Sequence, residues 1–412
     1  MDETSLRRLL DAALAHEPPM EPIAHRSLQA GFRLRRRRRA RNATASIAAA
    51  ALIAVAVPAL SGALGHPLAG PHGPTDAATA YVENGSIVTP ISETTNQPGT
   101  SIRTSRYPGP IAITPDGKTA YLASGTTPGW VTPITIATGA VGRSIRVGDF
   151  PDGLAVSPDG KTAYLASGTT RGWVTPISTA TSTAGQPIKV GSNPRAVVFT
   201  PDGTTAYVLD QGNSGWGSVI PINVATGTPG KLIKVGHTPM VMAMTPNGQT
   251  LYVANSGSGT VTPISTGTNR AGQPINVGTG PVAIAMTPDG KMVYAVGTGT
   301  VTPISTATNT PGPPIRVGGE PQAIAITPDG KTAYVVSYQP STVTPISTAT
   351  NTAQRPIKVA AGPASIAITP DGKTAYVTCS TAHAVTPIFI PANTAGPPIK
   401  VAHRPNIIAI AP

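Results

Sequence analysis

The sequence predicts an all-β chain folded as a propeller of about eight four-stranded antiparallel blades, on three observations. A strand-turn-strand phrase, read most cleanly at 323–336 as AIAITPDGKTAYVV, returns from Pro110 to the last residue. Its turn residues stand at Asp116, Asp159, Asp202, Asn247, Asp289, Asp329 and Asp371, spaced by 43, 43, 45, 42, 40 and 42 residues. A period near 42 built from four short strands is that of a propeller blade. A tyrosine in the second strand recurs at Tyr81, Tyr121, Tyr164, Tyr207, Tyr252, Tyr294, Tyr334 and Tyr376, which adds one member at the front and makes eight; seven blades is the alternative.

Each element follows from residue type. Small and branched apolar residues from Ala323 to Thr327 suit a buried first strand, and Pro328-Asp329-Gly330 supplies a tight turn. The β pattern resumes from Thr332 to Val336 as the second strand. TVTPIS at 342–347 is the third strand, and PIKV at 356–359 the fourth. The recurrent third-strand proline (Pro90, Pro133, Pro176, Pro221, Pro263, Pro303, Pro345, Pro387) has no N–H for the ladder. Short outer strands, peeled away or bulged opposite it, are expected. Seven of the eight fourth strands carry a central cation: Arg103, Arg146, Lys189, Lys234, Arg316, Lys358 and Lys400. On an exposed edge, Lys and Arg discourage pairing with another sheet. The first repeat lacks its first strand, and the chain ends on IIAIAP (407–412), which is that strand with nothing after it. The C-terminal strand is therefore expected to complete the first blade and close the ring.

The 412 residues include 44 Gly and 45 Pro, with 12% charged and 4% aromatic side chains, which leaves room for many turns and little helix. Four segments are expected. Residues 1–42 form a basic cytoplasmic tail in which Leu6, Leu9, Leu10, Ala13 and Leu14 share one face of a short helix. Residues 43–64, 22 residues without a charge, follow Arg33, Arg35 to Arg39 and Arg41. About 20 apolar residues cross a bilayer, and basic residues stay inside. This predicts one transmembrane helix with the N-terminus cytoplasmic and the repeats outside the cell membrane; a cleaved signal peptide, leaving a secreted protein, is the alternative. Residues 65–78 form a linker, and 79–412 the propeller. Of the formal net charge of +12, ten bases against five acids put +5 on the tail and leave +7 on the repeats. Dispersed rim cations without interleaved aromatics do not make a nucleic-acid surface.

The phrase IAITPDGKTAYV, with Tyr252-Val253-Ala254-Asn255 followed by Thr260-Val261, and Tyr376-Val377-Thr378-Cys379, resembles the YVTN-type β-propeller repeat family of bacterial and archaeal extracytoplasmic proteins. The resemblance covers 79–412 and implies the fold and an external location. Such relatives commonly have seven blades, and the motif specifies no reaction.

Function is sought where the repeats vary, in loops at one end of the wheel. The fourth-to-first-strand loops carry Tyr107, Asp149, Arg195, His237, Glu320, His403 and Arg404. The second-to-third-strand loops carry all three tryptophans, Trp130, Trp173 and Trp216, each nine residues after its tyrosine. An aromatic arc beside a polar mouth suits a sugar or a peptide; the same indoles also serve to roof Gly-rich loops. The candidate function is a membrane-anchored binding or scaffold module for a protein or cell-envelope glycan. A lactonase- or lyase-type enzyme using Glu320, His237, His403 and Arg404, and a transmembrane sensor, are the alternatives. No residue spacing calls for a metal or cofactor, the lone Cys379 permits no internal disulfide, and no G-x-S-x-G or phosphate-binding loop occurs.

Overall fold

The computed structural model describes residues 79–83, 87–104, 108–213 and 215–411. The tail, the apolar segment 43–64 and the linker lie outside them, as does Tyr107. Among the described residues no helix is long and apolar enough to cross a membrane.

Eight antiparallel sheets follow one another along the chain. Blade 1 comprises 79–103 together with the C-terminal strand, and blades 2 to 8 span 108–147, 151–190, 194–237, 239–276, 283–316, 321–358 and 363–400. Blade 3 shows the plan: an inner strand Pro151–Val156, then Thr162–Ser167, then Gly172–Ser178, and an outer edge in two pieces, Thr183–Ala184 and Ile188–Val190. The outer edge is broken opposite the third-strand proline, as expected. The Pro176 carbonyl faces outward and accepts from Gly185 N at 2.8 Å, so the missing N–H faces outward too, where the ladder lapses.

Closure is as the sequence implies. Ile407–Ile410 pairs antiparallel with Thr79–Glu83, in the register Tyr81↔Ala409, Val82↔Ile408 and Glu83↔Ile407. Segments more than 300 residues apart thereby form one sheet, and blade 1 has an inner strand like the other seven, leaving only short, protected edges at the channel.

The core lies between blades. Eight apolar clusters each join two neighbours; the one at the seam packs Ala367, Tyr376, Val385 and Ile399 of blade 8 against Ala80, Val82, Ile91 and Ile408 of blade 1. Neighbouring inner strands approach closely at Gly153, where a Cβ would lie 2.6 Å from the Arg195 carbonyl oxygen of the next blade.

The repeated tyrosines are polar bolts as well as core. Each is almost fully buried, and most donate their hydroxyl to the third-to-fourth-strand turn of the next blade. Tyr207, Tyr252, Tyr294, Tyr334 and Tyr376 reach the Oδ1 atoms of Asn269, Asn309, Asn351, Asn393 and Asn96 at 2.5–2.7 Å. Those five asparagines all adopt positive φ, between 50° and 55°, which Asn tolerates better than most residues. Tyr81 and Tyr121 use the main-chain oxygens of Ile136 and Thr179. The Tyr376–Asn96 bolt crosses the seam. The aspartates of the hairpins are structural: Asp116 Oδ1 accepts from Thr114 Oγ1 at 2.6 Å and from Lys118 N at 3.1 Å, and the pattern repeats around the wheel.

Candidate functional site at the channel mouth

Six of the inner strands begin with a proline, and all six open with a shift in register just after it. A bulge re-aims the extra residue. The residues so placed are Gly109, Asp152, Arg195, Met240, Gln322 and Ala364, a ring of variable side chains on an invariant scaffold.

Blades 3 and 4 supply the charged part of that ring. Arg195 is ion-paired with Asp152 of the preceding blade, their side chains 16% and 23% exposed. Its Nε and Nη2 donate to Gln211 Oε1, both at 3.3 Å, and Gln211 Nε2 in turn donates to the Pro239 carbonyl at 3.5 Å. One guanidinium thus ties three successive blades together. Asp210, buried, accepts from Ser192 N and Asn193 N at 3.0 and 2.6 Å and fixes the loop that leads into Arg195. Asn255 clamps the next loop through Gly236 N at 3.1 Å. Cys379 stands at the same place in blade 8, against Thr386 Oγ1 at 3.4 Å, with its thiol pushed up to about 11 by burial. A buried thiol so protonated is packing rather than a nucleophile.

Aromatic side chains flank the network. Trp216, 61% exposed, lies on His237 with ring centroids 3.7 Å apart at 41°. Phe150, 43% exposed, takes φ 55° immediately before Pro151. A bulky residue in that conformation ahead of proline is strained, and strain collects at working surfaces.

The other residues singled out from the sequence are dispersed. Trp130 and Trp173 are half-buried on third strands, opposite Arg146 and Lys189 of the outer edge and away from the mouth. They share a register, whereas Trp216 sits ahead of a bulge and precedes the equivalent position, Ser218, by two residues. The three indoles therefore do not repeat one site. Asp149, Glu320, His403 and Arg404 are exposed. His237 lies at the junction of blades 4 and 5, Glu320 at 6 and 7, and His403 with Arg404 at 8 and 1, so His237 and His403 are half a turn apart. Among the described residues no three His, Cys, Asp or Glu come together as a metal site.

Sequence reading overlooked Asp210, Gln211, Met240 and Glu83. Their signal is departure from the repeat: Glu83, 2% exposed, occupies a position held by Ala123, Ala166, Leu209, Ala254, Val296 and Val336 elsewhere.

A family model described as "Lactonase, 7-bladed beta-propeller" matches residues 178–387, from the third strand of blade 3 to that of blade 8. The chain belongs to that family. It departs from the family description in closing its ring with eight blades. No curated protein matches the chain. Among solved structures it is similar to "Dihydro-heme d1 dehydrogenase NirN in complex with DHE" (TM-score 0.70, 18% identity, 81% of this chain and 74% of that one). It is also similar to "Kuenenia stuttgartiensis Hydrazine Synthase" (0.56, 23%, 68% and 94%) and to a functionally unknown protein from Desulfotomaculum acetoxidans DSM 771 (0.56, 16%, 68% and 95%). At these identities the likeness is one of fold.

Proposed function

We propose that this chain is a YVTN-type, membrane-anchored extracytoplasmic propeller that binds a protein or a cell-envelope glycan at the mouth formed by blades 3 to 5. The anchor is residues 43–64, with 1–42 inside the cell and 65–78 leading to the wheel. The observation that carries the reading is concentration: strained Phe150, the Asp152–Arg195–Gln211 brace and the Trp216–His237 stack all fall on one arc, while corresponding positions on blades 6 to 8 carry Val282, Gln322 and Ala364. Exposed aromatic faces beside fixed polar groups are what sugar rings and peptide chains engage. Isolated envelope material should retain the native protein and lose the Phe150→Gly, Trp216→Ala double variant. Equal retention of the two would discard the reading. Protease added to intact cells should remove the repeats and spare the tail.

Family membership favours a second reading, hydrolysis of a lactone ring at the same mouth. Arg195 is then the group that faces the developing oxyanion, and Arg195→Gln abolishes turnover on a panel of lactones. A native protein inert towards every member of the panel leaves binding as the function.

A further inference from the structure

One of the eight inter-blade seats is not filled from within. Seven of the repeated tyrosines donate to an amide or main-chain oxygen of the next blade, five of those acceptors being asparagine side chains. Tyr164 of blade 3 is the exception: only 2% exposed, it finds no acceptor on blade 4 among the described residues. The turn that faces it carries Gly227, where five of the other seven turns carry asparagine and the remaining two carry Gly139 and Ser182; the tyrosines facing those two use a main-chain oxygen, which Tyr164 does not. Gly227 keeps their geometry, with φ 66° and its N–H on the Asn223 carbonyl at 2.8 Å. Phe199, where other inner strands have Ile, Met or Val, packs tilted against the Tyr164 ring at 5.1 Å.

A groove of about 650 Å³ opens at this seat, on the outer rim and at the opposite end of the wheel from the fourth-to-first-strand loops. Tyr164 and Gly227 both line it, with Pro176, Pro187 and Pro229 as apolar wall and Gln186 and Lys189 at its lip. The phenol reaches this groove, where an incoming acceptor can take the hydrogen bond that the other seven seats make internally. The filled seats show which acceptor has the right shape: a carbonyl oxygen on a short arm, 2.5–2.7 Å from the phenol.

We propose that the groove between blades 3 and 4 is a docking site for a polypeptide segment of a partner protein, whose asparagine side chain enters the space left by Gly227 and accepts from Tyr164. The prolines cover the apolar part of the segment, and Lys189 and Gln186 hold its main-chain oxygens. The site is separate from the mouth and independent of what binds there.

The test uses the full chain in detergent micelles with 3-fluorotyrosine at its ten tyrosines, followed by fluorine NMR. The Tyr164 signal is assigned by its loss in Tyr164→Phe. The probe is the acetylated and amidated pentapeptide Thr-Ala-Thr-Asn-Thr, the sequence of the filled turn at 348–352. The expected result is a saturable shift of the Tyr164 signal that is absent when glycine replaces the asparagine of the peptide. Gly227→Asn should abolish the shift and raise Tm, because an added Cβ meets only Ile188 at ordinary contact distances of 3.6 and 3.9 Å. No shift of Tyr164 up to the solubility limit of the peptide overturns the proposal, as does a shift that survives in Gly227→Asn.

Discussion

Glu93 stands where four other blades place a threonine that donates to a glycine carbonyl of its own hairpin: Thr179 to Gly160, Thr266 to Gly248, Thr306 to Gly290 and Thr348 to Gly330, at 2.6–2.7 Å. In blade 1 the strands that such a hairpin would join are the two ends of the chain, and Glu93 Oε1 is buried with no partner in the structure. Burial, with the Asp371 carboxylate adding to it, pushes the Glu93 carboxyl up from 4.5 to about 7. Asp371 itself is ion-paired with Lys373 at 3.2 Å, and Tyr376, the other titratable group beside Glu93, stays protonated at neutral pH. A carboxyl whose folded pKa is raised stabilises the fold most below its unfolded value and loses that contribution as pH rises through the folded one. The window here is pH 4.5 to about 7. Glu93→Thr should therefore flatten the decline in stability across that window and raise stability at pH 7.5 by about 1–2 kcal/mol, a figure discounted for the partial exposure of the group. Urea denaturation at pH 5 and pH 7.5 measures it, and an unchanged slope removes Glu93 as the cause. The turn aspartates work in the opposite sense: hydroxyl donors such as Thr114 and Ser157 hold Asp116 and Asp159 below the usual carboxylate range, so their contribution is lost on acidification. The bolts give a matched pair of tests. Tyr334→Phe removes a donor from a filled seat and should cost about 1 kcal/mol, whereas Tyr164→Phe should cost nothing measurable; equal losses in thermal unfolding would deny the bolts their role.

Strand patterns were legible because they rest on local chemistry. Alternating small and branched residues, Pro-Asp-Gly turns and the third-strand proline each dictate backbone geometry within a few residues, and hairpins and broken outer edges stand where those residues put them. Register at the mouth was not legible. Trp216 has the same nine-residue spacing from its tyrosine as Trp130 and Trp173, yet two more residues in the loop from Asp210 to Ser218 than in the loop from Ser124 to Trp130 displace it from their register. The bulge that follows the six inner-strand prolines, which aims Asp152 and Arg195, shows only in the pairing of the two inner strands and not in the spacing of the repeat. Inter-blade bolts escaped for a related reason: Tyr207 and Asn269 are 62 residues apart, and only the closed wheel brings phenol and amide together. The loop at Phe150 holds a strained residue for exposure rather than for packing. Phe150→Gly should relieve about 1 kcal/mol of strain, raising Tm while it weakens retention on envelope material. A variant that loses stability would show that Phe150 is held by packing.

At the scale of the whole molecule, near-identical sheets supply rigidity and irregularities supply identity. The rim cations Arg103, Arg146, Lys189, Lys234, Arg316, Lys358 and Lys400 are exposed and make no ion pair among the described residues, which keeps each short outer edge from recruiting a foreign strand. The inner strands form a continuous ring only if the last residues pair with the first. Val82 and Ile408 face each other across that seam as a pair that exchanges no main-chain hydrogen bond, Val82 turning its groups to the third strand and Ile408 to the channel, the arrangement that brings Cα atoms to about 4.5 Å. That separation accommodates a disulfide. The decisive measurement is therefore the mass and non-reducing gel mobility of Val82→Cys, Ile408→Cys after mild oxidation. A closed eight-bladed ring predicts an intramolecular bond, two hydrogens lighter and faster migrating; two free thiols, or only disulfide-linked dimers, would contradict it.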